Sequence, residues 1–411
     1  MRPVVVLILH PTAPAGAGPL VRALAEARHA LAERQRVAFL AAGADAADVV
    51  SGPPDGMSFG ERLVAAMRAR VGGDARSGGA RGGATARGGA TARAGATESG
   101  GALAAATGGA TSIAGGLIVL GSGSIALARA SDLRRFVEVA AGPGGHALAN
   151  NRYSADVVAI SRAADLLRLP PLPADNALPR WLEERAGVAV ADLRSRWRLG
   201  VDVDTPLDLI VLDGAAARGR PGGRHGTGPL LGEGPIGERL AELAGVMSNR
   251  RAELLVAGRV SATTLKWLER GVACRIRALV EERGLRAAST LAQSGGTTGS
   301  RPPRSVLGEL LDRDGPDGLA AIVARLADAA VIDTRVLMAH RAGADESAWP
   351  GAEDRFASDL LLTSTIADPW LRALTRSAAA TPSDHPILLG GHTLVNGGLR
   401  LLAQRVRAGK R

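Results

Sequence analysis

Short apolar runs alternate along this chain with stretches in which apolar residues recur every three or four positions, the periods of buried strands and amphipathic helices. In the first half, Val4–Leu9 reads as a strand, Pro19–Gln35 as a helix, Arg36–Ala41 as a strand and Ser58–Arg70 as a helix. Gly116–Leu120 then reads as a strand, Ser131–Ala140 as a helix, Ala155–Ser161 as a strand, Asn176–Ala186 as a helix and Thr205–Leu212 as a closing helix. The second half repeats the alternation: helix 235–251, strand 253–257, helix 262–271, strand 274–280, helices 305–312 and 316–327, and strand 329–333. Helices 353–361 and 369–378, strand 386–389 and helix 393–407 complete it. Such alternation predicts an α/β protein with two mostly parallel sheets, each covered by helices on both faces.

Patterning fails in four places. Residues 72–112 hold a near-perfect hexad, Ala-Arg-Gly-Gly-Ala-Thr from Ala80 and Ala86 and Ala-Arg-Ala-Gly-Ala-Thr from Ala92, with almost no large apolar side chain. A stretch that buries so little cannot offset its ordering entropy, which predicts disorder. Similar composition marks 214–229, 287–304 and 405–411 as a flexible linker, a long disordered loop and a basic tail. The expected domains are therefore 1–213 and 230–404, a number that suits 411 residues.

Charge changes the picture once it is located. The net charge is +10, but the four unpatterned segments together carry +11, leaving about −1 for everything expected to fold. The excess sits where no shaped groove can hold it, and none of the ten aromatic residues lies in those segments, so a specific nucleic-acid partner is not expected. Only Lys266 and Lys410 are lysines, and no Gly-Lys-Ser/Thr occurs, which excludes a standard P-loop. The single cysteine, Cys274, forbids an intrachain disulfide or Cys-rich zinc site, fits a reducing cytoplasmic location, and reads as a small core residue. No apolar run is long enough to span a bilayer, so no membrane partner is expected.

In open parallel sheets ligands bind beyond the carboxyl ends of the strands. The most distinctive string there is Gly200-Val201-Asp202-Val203-Asp204-Thr205-Pro206-Leu207-Asp208-Leu209. Alternation puts Asp202 and Asp204 on one face of an extended segment, able to address one divalent cation with hard oxygen ligands. A cap on the helix that opens at Pro206 is the competing account of Asp204. Asn151, Arg152 and Ser154, in a polar string before a strand, are candidates for binding an anionic group, or an ordinary Asn-rich turn.

At Asp204-Thr205-Pro206-Leu207-Asp208-Leu209 the chain resembles the GT-A-like nucleotidyltransferases, of the molybdenum-cofactor and phospholactate guanylyltransferase type. Two weaker stretches, Gly60-Glu61-Arg62-Leu63 and the strand Leu117–Leu120 followed by Gly121-Ser122-Gly123-Ser124, fit the same resemblance, which covers roughly residues 1–213. It implies a GT-A or Rossmann-like first domain and Mg²⁺-dependent nucleotidyl transfer. Asp202 and Asp204 would hold the metal, Gly121, Ser122, Gly123 and Ser124 the phosphates, and Asn151, Arg152 and Ser154 the acceptor. The expected ligand is a nucleotide or phosphorylated small molecule. Two departures stand out: relatives carry an Asp in the second turn where this chain has Gly121–Ser124, and their first loop carries cations where Ile8–Gly18 offers only His10.

The second half supplies an alternative, a catalytically degenerate sensor or scaffold with a small-anion site. Arg259, Ser261, Glu282, Arg283, Asp333, Arg335 and His392 all fall at expected strand ends and would converge if the sheet is parallel. Ser261 as a plain helix cap is the simpler account of that residue.

Overall fold

The computed structural model describes residues 2–53, 56–77, 115–172, 175–216, 234–282 and 303–409. Two sheets are flanked by helices. Six strands form the first: β1 (Val4–Pro11), β2 (Ala46–Gly52), β3 (Gly116–Gly121), β4 (His146–Ala149), β5 (Val157–Ile160) and β6 (Ala189–Asp192), in the order β2-β1-β3-β5-β4-β6. All neighbours are parallel except β5, which runs against both β3 and β4. That reversal matters for function, because the start of β5 lies at the same edge as the ends of β1 and β3.

Helices α1 (Pro19–Ala41), α2 (Phe59–Ser77), α3 (Ala130–Ala141), α4 (Leu178–Glu184) and α5 (Pro206–Ala216) belong to the first half. The second sheet is wholly parallel, with β7 (Glu253–Gly258), β8 (Arg275–Val280), β9 (Ala329–Asp333) and β10 (Ile387–Gly390) in the order β10-β9-β7-β8. Its helices are α6 (Pro235–Met247), α7 (Ala262–Gly271), α8 (Val306–Asp314), α9 (Leu319–Ala324), α10 (Thr334–Ala342), α11 (Ala352–Asp359), α12 (Pro369–Ala379) and α13 (Leu399–Gly409).

Several elements differ from the sequence pattern. The expected strand Arg36–Ala41 is the end of α1, and the edge strand is Ala46–Gly52 instead. Phe39 is fully buried while Val37 and Leu40 are exposed, a helical distribution that the apolar run Val37–Ala41 conceals. Strands β4 and β6, four residues each, are too short to show alternation. The expected helix 393–407 opens with a π turn at Leu394–Gly398 before α13. Helix α2 continues to Ser77, into the first stretch expected to be disordered; α5 reaches Ala216 and α13 reaches Gly409. The remainder of those stretches, 78–112, 217–229, 287–302 and 410–411, lies outside the described residues.

Each face of the first sheet has its own apolar cluster, one around Leu63, Met67 and Leu166 and one around Phe39, Phe136 and Ile118. A third, centred on the second sheet, also takes in Leu24, Ala27 and Leu31 of α1 with Val201, Val203 and Leu207 at the start of α5. Polar contacts reinforce this joint. The Glu353 carboxylate of α11 accepts the Leu20 and Val21 N–H groups at 3.0 and 3.1 Å, capping the first turn of α1. A Cβ at Gly18 would lie 2.2 Å from that carboxylate, so a larger residue here would displace the Glu353 side chain from its cap. Arg400 of α13 lies over both Trp197 and Trp267, at 5.4 and 5.3 Å, and donates to the Thr263 carbonyl. Among the described residues, no helix is long and apolar enough to cross a membrane.

Candidate functional site at the carboxyl edge of the first sheet

Strands β1 and β3 end side by side, and the turn Gly121–Ser124 follows β3. Segment 201–205 crosses above this turn, held by Val203 N–H donating to Gly123 O at 2.8 Å and Ala126 N–H donating to Val201 O. The Ile125 N–H donates to Asp202 Oδ1 at 3.0 Å, with Ile125 at φ 46°, a left-handed backbone that costs a β-branched residue energy.

The antiparallel strand β5 brings Asp156 to the same place. Asn150, at the end of β4, aims it: the Asn150 amide donates to Asp156 Oδ2 at 2.7 Å and to Leu199 O at 2.8 Å, while its oxygen accepts the Asp156 N–H. The Asp156 and Asp202 carboxyls are close enough to shift each other's proton affinity. Burial and the neighbouring charge of Asp175 push Asp156 up to about 7. Burial, with Asp156 and Asp204 close by, raises Asp202 well above the usual carboxylate range. Asp175 is pushed up to about 6, chiefly by burial, with Asp204 adding to the shift.

Asp204 is more exposed. Its Oδ1 accepts from Arg28 Nη2 at 2.8 Å, and Arg28 Nε donates to Val203 O at 2.6 Å. The Gly123 position explains why a guanidinium fits here, because a Cβ there would lie 2.6 Å from Val203 O and 2.8 Å from Arg28 Nε. Thr205, not Asp204, caps α5 by accepting the Asp208 N–H on Oγ1, and Asp208 Oδ2 completes the capping box by accepting from Asp204 N, Thr205 N and Thr205 Oγ1. Burial and Asp204 raise Asp208 to about 7. Beside Arg28, the buried His10 faces Ser122 Oγ through Nδ1 at 3.0 Å, and its ring centroid lies 5.1 Å from that of His29.

The expected site residues thus separate. Asp202, Asp204 and Gly121–Ser124 come together, but the turn is a packed joint rather than an open cradle. Gly121 N–H donates to Asp156 O, Ser122 N–H to Leu9 O and Ser124 N–H to Gly121 O, and Ser122, Gly123 and Ser124 are buried. These three amides are committed internally, so the expected row of amides for phosphates is not there. Arg152 lies on the tip of the β4–β5 loop, paired with Glu183 and stacked over Tyr153, which Arg194 also contacts. Asn151 closes that tip by accepting the Tyr153 N–H, and Ser154 N–H donates to Asn151 O.

In the second half, Arg259, Ser261, Asp333, Arg335 and His392 gather at the ends of β7, β9 and β10. The two guanidinium groups are engaged by carboxylates. Arg259 grips Asp333 at 2.6 and 3.1 Å, and Arg335, itself buried, holds Asp359 at 2.5 and 2.7 Å. Burial works against the Asp333 charge, yet Arg259, Arg335 and His392 hold its pKa below the usual range. Asp333 also caps α10, and Ser261 caps α7 by accepting the Thr264 N–H. The Ser261 N–H donates to Asn396, whose amide returns bonds to Arg259 O and His392 O. Glu282 is exposed beyond β8, and Arg283 lies outside the described residues. A Cβ at Gly391, in the loop after β10, would approach Arg335 Nε and the Thr205 methyl within 4.0 Å, so this edge abuts the start of α5.

Sequence reasoning missed Asp156, Asp175, Asn150 and the α1 pair Arg28 and His29 as parts of one site. Asp156 sits one residue before a strand, a position that signals a strand end only once the antiparallel direction of β5 is known. Among the described residues, no three His, Cys, Asp or Glu side chains stand ready as a metal cage. Comparison with family models, curated proteins and solved structures finds no match for the chain.

Proposed function

We propose that the protein binds a nucleotide or other phosphorylated small molecule with Mg²⁺ at the carboxyl edge of the first sheet, and that nucleotidyl transfer is its reaction. One observation carries the reading: Asp156, Asp175, Asp202 and Asp204 crowd one strand edge, where burial and mutual repulsion raise the first three above the usual carboxylate range. One guanidinium, that of Arg28, reaches this group at Asp204, and a hard dication would balance the carboxyls beside it.

The donor set suits Mg²⁺, which takes one or two carboxylates and completes its shell with water and phosphate oxygens, so a three-residue cage is not required. Asp202 and Asp204 would hold the ion, and Asp156, kept in place by Asn150, would steady Asp202. When bound, Mg²⁺ neutralises phosphate charge and favours attack at phosphorus. The strained Ile125 backbone beside Asp202 supports the same place, since such outliers concentrate at working sites. An anion site at the second sheet is less favoured, because Arg259 and Arg335 already serve buried carboxylates.

Thermal denaturation with GTP, CTP or ATP, each with and without Mg²⁺, tests the reading. A ligand bound only by the native state raises the midpoint. Stabilisation by a nucleotide that depends on Mg²⁺ and disappears in Asp204→Ala is expected; no stabilisation by any of the three would overturn it.

A further inference from the structure

A phosphorylated ligand at this edge needs cationic partners, and the two obvious sources fail: Ile8–Gly18 carries no Arg or Lys, and three amides of the Gly121–Ser124 turn are committed internally. Helix α1 fills the gap. Arg28 reaches over Gly123 to the carboxyl cluster, His29 follows it on the helix, and His10 stands 5.1 Å from the His29 ring. We propose that Arg28 and His29, with His10 behind them, form a phosphate-binding wing that takes the polyphosphate chain of the ligand, opposite the metal-binding carboxyls. This inference rests on the function proposed above and assigns the anionic part of the substrate to α1.

Three features support it. Arg28 spends one edge of its guanidinium on Val203 O and Asp204, which leaves donors on its remaining amino groups for two phosphate oxygens. The Arg28 and Asp204 side chains are 25% and 57% exposed, so exchanging part of that ion pair for a phosphate contact costs little. His10 contributes by position: its buried ring faces Ser122 Oγ at 3.0 Å and its centroid lies 5.1 Å from that of His29, which sets ring N–H groups beside Arg28.

Tripolyphosphate, titrated into the full-length chain by calorimetry without Mg²⁺, isolates the wing from the metal. The wild type should bind it. Arg28→Gln should weaken binding about tenfold, the scale expected for loss of a charge-assisted contact, and His29→Gln several-fold, the scale of a lost hydrogen bond. Because Arg28 also braces Val203, Arg28→Lys and the exposed His29→Gln serve as second variants: Arg28→Lys keeps the charge and should retain most of the affinity. Absence of binding by the wild type, or unchanged affinity in both Arg28→Gln and His29→Gln, would overturn the wing. The two readings fail separately. Mg²⁺ binding lost in Asp202→Asn with no tripolyphosphate binding leaves the metal site and removes the wing, whereas Arg28-dependent tripolyphosphate binding with no Mg²⁺ effect does the reverse.

Discussion

Asp156 and Asp202 bring their carboxyl groups together although 46 positions separate them in the chain, and burial beside one another raises both above the usual carboxylate range. A pair held this way contributes little to folding at neutral pH and is suited to receiving a cation.

A pH dependence follows. For Asp156 the folded pKa, about 7, lies above the unfolded value of roughly 4, so the native state binds more protons between those limits. Stability contributed by this group is fully present below the unfolded pKa and is lost as pH rises through about 7. Asp175, at about 6, acts in the same direction. Asp208, at about 7, adds to it, so thermal midpoints should fall between pH 5 and pH 8 by roughly 2–4 °C, the scale of about 1 kcal/mol, and Asp156→Asn should lessen the fall without abolishing it. A flat profile in the wild type would show that the pair is not protonated in this way.

Replacing Gly123 by alanine puts a methyl group where Val203 O and Arg28 Nε already stand. Gly123→Ala should cost about 1–3 kcal/mol in urea denaturation, as overpacking does, and weaken ligand binding through displacement of Arg28. Wild-type stability and affinity in this variant would mean that Arg28 does not need its path over the turn.

Glu353 joins the two halves through two backbone N–H groups at the start of α1. Glu353→Ala should cost about 1 kcal/mol, the usual worth of a helix cap, and increase exchange at the Leu20 and Val21 amides. Hydrogen exchange at those amides measures it directly.

Arg335 and Asp359 are a buried bidentate pair. Arg335→Met or Asp359→Asn alone should destabilise by about 3–5 kcal/mol, while Arg335→Met combined with Asp359→Leu should recover most of the loss. A small cost for either single change in thermal unfolding would indicate that the pair is not a structural element.

The alternation of strands and helices was legible because it repeats with a period that side-chain burial imposes. Arg36–Ala41 misled because five consecutive apolar residues fit either period, and only Phe39 of them is fully buried. The paired carboxylates Asp202 and Asp204 were legible from their local spacing, since segment 201–205 is extended. Their partners were not: Arg28 meets Asp204 across 176 positions, and Asp156 arrives through a reversed strand that no local pattern announces. Likewise the Gly-Ser-Gly-Ser turn has the composition of a phosphate loop, but its amides are taken by Asp156 O, Leu9 O and Gly121 O, which only the packed structure reveals.

Electron paramagnetic resonance of Mn²⁺, titrated into the protein in the presence of GTP, is the most direct test of a cation site at Asp202 and Asp204. The wild type should sequester about one Mn²⁺ per chain with an affinity that GTP strengthens, and the Asp202→Asn, Asp204→Asn double variant should lose that binding while remaining folded. Equal Mn²⁺ binding by the folded double variant, or none by the wild type, would contradict the account.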